Sequence, residues 1–199
     1  ALLARFESNL RSIVASATDQ GVQVYVIPTP PHLAYPPFYR TGPGRPWAND
    51  PRVSATERDQ QAELREVARA AILAEDWAEA ERLANESIEL DAYNAEAHHI
   101  LGRALHELGQ TDRAIESLSR AHVLDVSRKR THPAFARIAE EVCREMGCRT
   151  TSAHTSILEM AHSEGLGVYD RLLGDHEHLN PEGNTWIAGL FAELILSED

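Results

Sequence analysis

The sequence contains only two cysteines among its 199 residues, which excludes a fold built on several disulfides. Cys143 and Cys148 are separated by four residues, and no further His or Cys residues with zinc-site spacing accompany them. We expect both cysteines to be buried thiols. A local disulfide between them is the alternative if the protein resides in an oxidising compartment.

Long hydrophobic runs and an excess of basic residues are also missing. No stretch approaches the roughly 20 apolar residues of a membrane span, and the N-terminus lacks a signal-peptide pattern. The 31 acidic residues outnumber the 19 basic ones, and the resulting net charge of −12 disfavours binding to the phosphate backbone of nucleic acids. The chain begins at Ala1 inside an amphipathic pattern, which indicates a part of a longer protein. The compartment stays open, and a membrane-anchored or extracytoplasmic parent is among the alternatives.

Hydrophobic periodicity predicts a series of helices and one or two strands. Apolar residues recur at helical spacing over residues 1–20, and residues 22–27 have the β-branched and aromatic composition of a buried parallel strand. A proline- and glycine-rich loop follows from Thr29 to about Pro51, and loops of this length are often functional. Near the C-terminus the pattern predicts helices over residues 133–146, 155–162 and 181–196, and a weak strand over 149–152.

The region between these segments repeats itself. Residues 76–80 match residues 110–114, and Leu90-Asp91 matches Leu124-Asp125, at the 34-residue offset typical of tetratricopeptide repeats. The second copy has small or apolar residues where the two helices of this motif pack: Leu101, Gly102, Leu105, Gly109, Ala114, Leu118 and Ala121. The first copy is weaker. Because such arrays need about three repeats to bury a continuous core, we expect the two copies to pack against the rest of the chain.

The segment Gly-Asp-His-Glu-His-Leu-Asn-Pro-Glu-Gly-Asn at residues 174–184 precedes the last predicted helix. A histidine that titrates near neutrality can take a proton from a serine hydroxyl and return it to a leaving alkoxide, if a carboxylate fixes its tautomer. In a tight loop, Asp175 and His178 are close enough in sequence to meet. Pro181 suits the first turn of the helix, and Asn180 is a predicted N-cap.

This segment resembles the last conserved block of SGNH/GDSL-type ester hydrolases, in which an Asp and a His three residues later supply two members of a catalytic triad. Asp175, His178, Leu179, Asn180 and Gly183 follow the order of that block. The resemblance implies that His178 is the general base and Asp175 its orienter, while Asn180 and Gly183 support the loop and helix. It also implies an acyl-ester substrate and no cofactor.

The resemblance also implies a fold class and a domain organisation. We expect a helix-rich α/β protein, the C-terminal portion of a three-layer α/β/α SGNH-like fold with an α-helical tetratricopeptide-like insertion. Residues 1–54 and 128–199 would then be the hydrolase-like parts, and residues 55–127 the helical hairpins. This order of elements resembles bacterial proteins that combine a GDSL-like hydrolase with such repeats.

Two simpler interpretations of the 174–184 segment remain open. It is also a good polar loop and helix start, in which a histidine is usually just solvated. Asp175, His176, Glu177 and His178 could in principle bind a metal ion, but adjacent residues seldom fit one tetrahedral site, so we expect none.

The long proline-rich loop supplies further candidates for substrate contact. Tyr35 and Trp47 have the amphipathic side chains that suit such a role, and His32 could line the mouth of the site if the loop folds over it. A solvated loop histidine is the alternative for His32.

The nucleophile is missing from the sequence. Serine esterases of this type need a serine in a Gly-Asp-Ser-like turn and oxyanion donors, and neither motif is present. We therefore expect a fragment that supplies the base and its orienter but does not turn over esters alone, its parent being a hydrolase or acyltransferase. The second hypothesis is a non-catalytic interaction module whose repeat groove, at residues 94–109, binds a peptide or protein.

Overall fold

The computed structural model describes residues 2–37, 53–125 and 131–197, and helices dominate these ranges. The helices are α1 (Leu2–Thr18), α2 (Ala55–Leu73), α3 (Trp77–Leu90), α4 (Ala95–Glu107), α5 (Thr111–Leu124), α6 (Pro133–Met146), α7 (Ala153–Glu164), α8 (Gly167–Leu172) and α9 (Pro181–Leu196); the strands are β1 (Tyr25–Val26) and β2 (Arg149–Thr150). None of the helices in this described part is long and apolar enough to span a membrane.

The chain divides into two compact units. The flanking unit consists of the described residues within 1–32, 130–160 and 167–199. The repeat unit consists of those within 33–129 and 161–166. Each unit is considered by itself below.

The sheet of the flanking unit is much smaller than the sequence suggested. Tyr25 lies opposite Arg149 and Val26 opposite Thr150 in a parallel pair, and the Thr150 hydroxyl donates a hydrogen bond of 2.6 Å to the Val26 carbonyl. The strands are half-buried rather than buried. Prolines follow β1 and a helix follows β2, so neither strand can lengthen the ladder. The expected three-layer α/β/α architecture is therefore corrected: the described residues form a helix-rich structure with one two-stranded sheet.

The core of the flanking unit lies between α1 and α6. Leu10 and Val14 of α1 are buried with Ala139 and Val142 of α6. The rings of Phe6 and Phe135 meet edge to face with centroids 4.7 Å apart, the arrangement that aromatic quadrupoles favour. The apolar faces predicted for these two segments thus pack against each other in part, since Leu2, Leu3 and Ile13 of α1 are exposed.

A disulfide joins Cys143 and Cys148, which corrects the expectation of two buried thiols. Helix α6 ends at Gly147, which adopts the left-handed conformation with φ of 75° that favours glycine. This C-cap turns the chain back on itself and brings Cys148 beside the last turn of the helix. The separation of four residues is therefore a consequence of the helix end.

The repeat unit is built of two helical hairpins, α2–α3 and α4–α5, and α3 also packs against α4. Helices α4 and α5 approach closely because residue 102 is glycine: a Cβ atom there would lie 2.6 Å from Cγ of Leu118 and 3.1 Å from the carbonyl oxygen of Ala114. At the corresponding position of the first hairpin, Ala68 is completely buried. The small residues of the repeated pattern therefore set the distance between paired helices.

Side-chain caps fix where the helices of the repeat unit begin. Ser54 and Glu57 form a reciprocal capping box at the start of α2. Asn94 is fully buried and accepts hydrogen bonds from the backbone N–H groups of Glu96 and Ala97 at the start of α4. These caps satisfy N–H groups that have no partner within a helix.

Candidate functional site

The segment with the Asp-x-x-His motif forms a short closed loop between α8 and α9. Leu173 and Leu179 pair in an isolated antiparallel bridge, and the Gly174 N–H donates a 2.8 Å hydrogen bond to the His178 carbonyl. Asp175 accepts hydrogen bonds from the backbone N–H groups of Glu177 (2.9 Å) and His178 (2.8 Å). The carboxylate therefore organises the backbone of the loop that carries it.

Asp175 also meets the side chain of His178. The Nδ1 atom of His178 lies 2.8 Å from Oδ2 and 3.0 Å from Oδ1 of Asp175. Hydrogen bonds from the backbone of Glu177 and His178, and then from the His178 ring, hold the pKa of Asp175 well below its usual range. The hydrogen bond with Asp175 raises the pKa of His178 above its ordinary value. The pair thus has the geometry and electrostatics of a carboxylate that orients an imidazole.

The opposite edge of the His178 ring is open. The side chain is 72% exposed, and none of the described residues forms a hydrogen bond with Nε2. When Nδ1 carries the proton that faces Asp175, Nε2 has a lone pair directed at solvent. Chemically, this arrangement can accept a proton from a hydroxyl group that approaches from outside the loop.

Asn180 and Gly183 join the loop to the start of α9. The Asn180 side chain accepts a 2.9 Å hydrogen bond from the Gly183 N–H as the N-cap of α9, and its Nδ2 donates to the carbonyl of Arg171. The Asn180 N–H donates to the carbonyl of Leu172. A Cβ atom on Gly183 would lie 1.9 Å from that Leu172 carbonyl oxygen, so only glycine fits. Both residues therefore hold α9 against α8.

His32 lies in the same unit as the loop and is buried, with 5% of its surface exposed. Its backbone N–H donates to the carbonyl of His176, its Nε2 lies 3.1 Å from Oδ1 of Asp170, and its ring stacks on Tyr169. The alternative of a solvated histidine is thus incorrect. His32 braces the outside of the 174–178 loop through its backbone, and contact with a substrate remains a prediction.

The other two candidates for substrate contact are not associated with this loop by the structure. Tyr35 belongs to the repeat unit and is about one-third exposed. Trp47 lies outside the described residues. Among the residues that the structure does describe, no three His, Cys, Asp or Glu side chains are arranged to hold a metal ion.

The repeat unit contains a cavity of about 240 Å³ between α2 and α4, which we call the α2–α4 groove. Its walls are lined by Arg69, Ile72 and Leu73 of α2 and by Glu96, His99, Ile100 and Arg103 of α4. Both walls combine apolar and charged side chains, with Ile72 and Leu73 beside Arg69 on α2 and Ile100 beside Glu96 and Arg103 on α4. Four of the lining residues therefore fall in the region 94–109, for which a binding groove was predicted, and three others belong to α2.

The charged groups of the groove are largely paired with each other. Glu96 is buried, and it accepts a 2.8 Å hydrogen bond from Nε of Arg69 and lies 3.5 Å from Nε of Arg65. Burial lowers the pKa of Arg65, because the charged guanidinium loses solvation, and the charge of Glu96 acts in the opposite direction. Sequence periodicity missed this network, because Arg65 and Glu96 occupy buried positions of helices that otherwise look amphipathic.

The chain itself contributes a third wall of the groove. Pro36 and Pro37 line the cavity, and Nε2 of His99 lies 3.0 Å from the Ala34 carbonyl oxygen, to which it donates. Pro37 is buried, and Leu33 is 1% exposed. Residues 33–37 therefore occupy part of the groove. The sequence contains a signal for this, since the apolar and proline residues of this loop are covered only if they pack against another surface.

Comparison with known proteins identifies one family. The Tetratricopeptide repeat family matches residues 83–116, which extend from the middle of α3 through α4 into α5. No curated protein matches the sequence. Among solved structures, the type III secretion translocator chaperone SycD of Yersinia enterocolitica is 23% identical, with a TM-score of 0.35 over 70% of this chain and 90% of that chain. The chain thus contains a tetratricopeptide repeat, and the matched residues overlap the clear copy that the 34-residue pattern predicted.

Proposed function

We propose that the repeat unit binds a segment of a partner protein in the α2–α4 groove. The observation that carries this proposal is the tetratricopeptide repeat at residues 83–116, whose helix α4 forms one wall of a groove that α2 completes. Helical repeats of this kind present concave surfaces that suit peptide and protein ligands. The function is therefore that of a protein-interaction module.

The chemistry of the groove supports a peptide ligand. Leu73 lines the groove and is 86% exposed, so its apolar side chain is available to a ligand. Arg103 is also exposed and forms no ion pair within the described part of the chain. An apolar contact beside a cationic one can fix both the position and the orientation of a peptide.

A pair of matched variants tests this proposal. Random 12-residue peptides displayed on phage are selected against the whole chain, and the recovered peptides are measured by calorimetry against Leu73→Asp and Val67→Asp. Both substitutions introduce a carboxylate at an exposed apolar position of α2, but only Leu73 lines the groove. We expect Leu73→Asp to weaken binding by at least tenfold and Val67→Asp to leave it within about twofold. Recovery of no binding peptide, or equal losses in both variants, would refute the proposal.

A second candidate function rests on the geometry of Asp175 and His178. We propose that His178 is the general base of an SGNH-type ester hydrolase or acyltransferase, with Asp175 as its orienter, in a larger fold of which this chain supplies the C-terminal part. The 2.8 Å contact with Nδ1 and the exposure of the His178 ring favour this role. A serine nucleophile and an oxyanion hole would have to come from other parts of the parent protein.

The hydrolysis of nitrophenyl acetate by the product of the whole reading frame tests this candidate. Because a general base usually contributes a factor of about 100 to 10,000, His178→Ala should lower kcat/KM by at least about 100-fold. His162→Ala is the matched control, since it removes an exposed imidazole beside a carboxylate outside the 174–178 loop. Equal activity of the His178→Ala protein and the wild type would exclude the role.

A further inference from the structure

The α2–α4 groove is partly filled by a segment of the chain that contains two adjacent prolines. Residues 33–37 read Leu-Ala-Tyr-Pro-Pro, and they contact the groove through Ala34, Pro36 and Pro37. Leu33 and Pro37 are buried, Pro36 and Pro37 line the cavity, and the Ala34 carbonyl accepts the hydrogen bond from His99. All of these residues belong to the repeat unit.

The contacts of this segment are those of a ligand rather than those of a helix or strand. No residue from 33 to 37 is part of a regular element, and its backbone carbonyl is recognised by the side chain of His99 rather than by another backbone group. A side-chain hydrogen bond to a backbone carbonyl, together with a buried proline, is a typical combination of specificity and affinity in a peptide groove.

Proline suits this groove for a physical reason. A buried backbone N–H must find an acceptor, and proline has no N–H group to satisfy. A proline pair also has little conformational freedom to lose on binding. The buried charges of the groove do not require a charged ligand, because Glu96 is already paired with Arg69 and Arg65.

We propose that the α2–α4 groove is selective for short proline-rich segments with the chemistry of Leu-Ala-Tyr-Pro-Pro, and that residues 33–37 hold this place until a partner segment of the same kind displaces them. This inference rests on the proposed function and defines its ligand. Because the internal segment belongs to the same chain as the groove, its binding is intramolecular, so a partner binds well only by outcompeting it.

The experiment measures binding of one defined peptide to the whole chain and to a variant with a weakened internal segment. The probe is a fluorescein-labelled, end-capped peptide with the sequence of residues 30–37, followed by fluorescence anisotropy. The variant is Pro36→Ala/Pro37→Ala. The second variant, if the double substitution disturbs folding, is Pro36→Gly, which leaves the buried Pro37 in place and removes the exposed ring at the edge of the cavity. Far-ultraviolet circular dichroism checks that the helices are retained.

We expect the peptide to bind the weakened variant at least tenfold more tightly than the wild type. Adding His99→Ala to that variant should reduce binding about fivefold, the factor that corresponds to one lost hydrogen bond. A control peptide in which alanine replaces every proline should bind at least tenfold more weakly than the probe.

Equal binding of the probe to the wild type and to both variants would overturn the inference, as would equal binding of the probe and its alanine control. These outcomes are distinguishable from failure of the proposed function. If the selected phage peptides bind the groove but contain no proline, the groove binds proteins and the inference about its ligand is wrong. If no peptide of any kind binds, the proposed function itself fails.

Discussion

Replacing Gly183 by alanine should destabilise the junction between α8 and α9, because the added methyl group collides with backbone. The new Cβ atom would lie 1.9 Å from the carbonyl oxygen of Leu172, whereas such contacts below about 3 Å are essentially never seen. The obstacle is backbone rather than a flexible side chain. The two elements must therefore separate by more than an ångström, or the first turn of α9 must unwind.

The expected cost follows from the contacts that this movement breaks. Overpacking a tight contact costs about 1–3 kcal/mol. The hydrogen bond from the Asn180 N–H to the Leu172 carbonyl contributes about 1 kcal/mol, and the Asn180 cap of α9 about as much again. The higher helix propensity of alanine offsets about 1 kcal/mol of this loss. The net loss is roughly 3 kcal/mol, or about 6–12 °C in Tm for a domain of this size.

Gly189→Ala provides the matched control on the same helix. A Cβ atom at Gly189 meets nothing within 4 Å, so alanine should raise the free energy of unfolding by up to about 1 kcal/mol. Urea unfolding followed by circular dichroism measures both variants against the wild type. A Gly183→Ala protein as stable as the Gly189→Ala protein would show that the close approach of α9 to Leu172 is not as described.

Two further predictions concern the flanking unit. Since Asp175 raises the pKa of His178, Asp175→Asn should lower that pKa toward its ordinary value in an NMR titration of the ring protons, and an unchanged titration would show that the two side chains do not interact in solution. The contribution of protonated His178 to the free energy of unfolding is present below its ordinary pKa of about 6.5 and is lost as pH rises through its raised pKa in the folded protein. The contribution of ionised Asp175 is present above its ordinary pKa of about 3.9 and is lost as pH falls through its lowered pKa in the folded protein. Reduction of the Cys143–Cys148 disulfide should lower the free energy of unfolding by about 2 kcal/mol, given the small loop that it closes, and a double alanine variant should be insensitive to reductant. Equal urea midpoints with and without reductant would exclude this contribution.

The elements that the sequence predicted well are those in which the local signal and the packing agree. The last helix begins at Pro181, as the cap and proline pattern indicated, and α6 ends at Gly147, where glycine follows an amphipathic run. The 34-residue pattern indicated the repeat because small residues such as Gly102 are required where one helix packs closely against the next. These features depend on neighbours within one hairpin or one turn.

The features that the sequence did not reveal depend on distant partners. The strand predicted over residues 22–27 is only two residues long in the structure. Its partner strand consists of Arg149 and Thr150, and helix α7 begins shortly after them. The contact between His99 and Ala34 joins residues 65 positions apart, and no periodic pattern encodes it. Composition alone could not decide the state of the cysteines, because the helix end at Gly147 controls it.

The carboxylate and the imidazole of the 174–178 loop have unequal reasons to persist through evolution. Asp175 secures two backbone N–H groups, so selection for folding alone would retain it even after any chemistry had disappeared. The ring of His178 is exposed and bonds to nothing else among the described side chains except Asp175, so loss of activity would free that position to drift. Among related proteins, retention of the histidine is therefore the informative mark of purifying selection on catalysis, and retention of the aspartate is not.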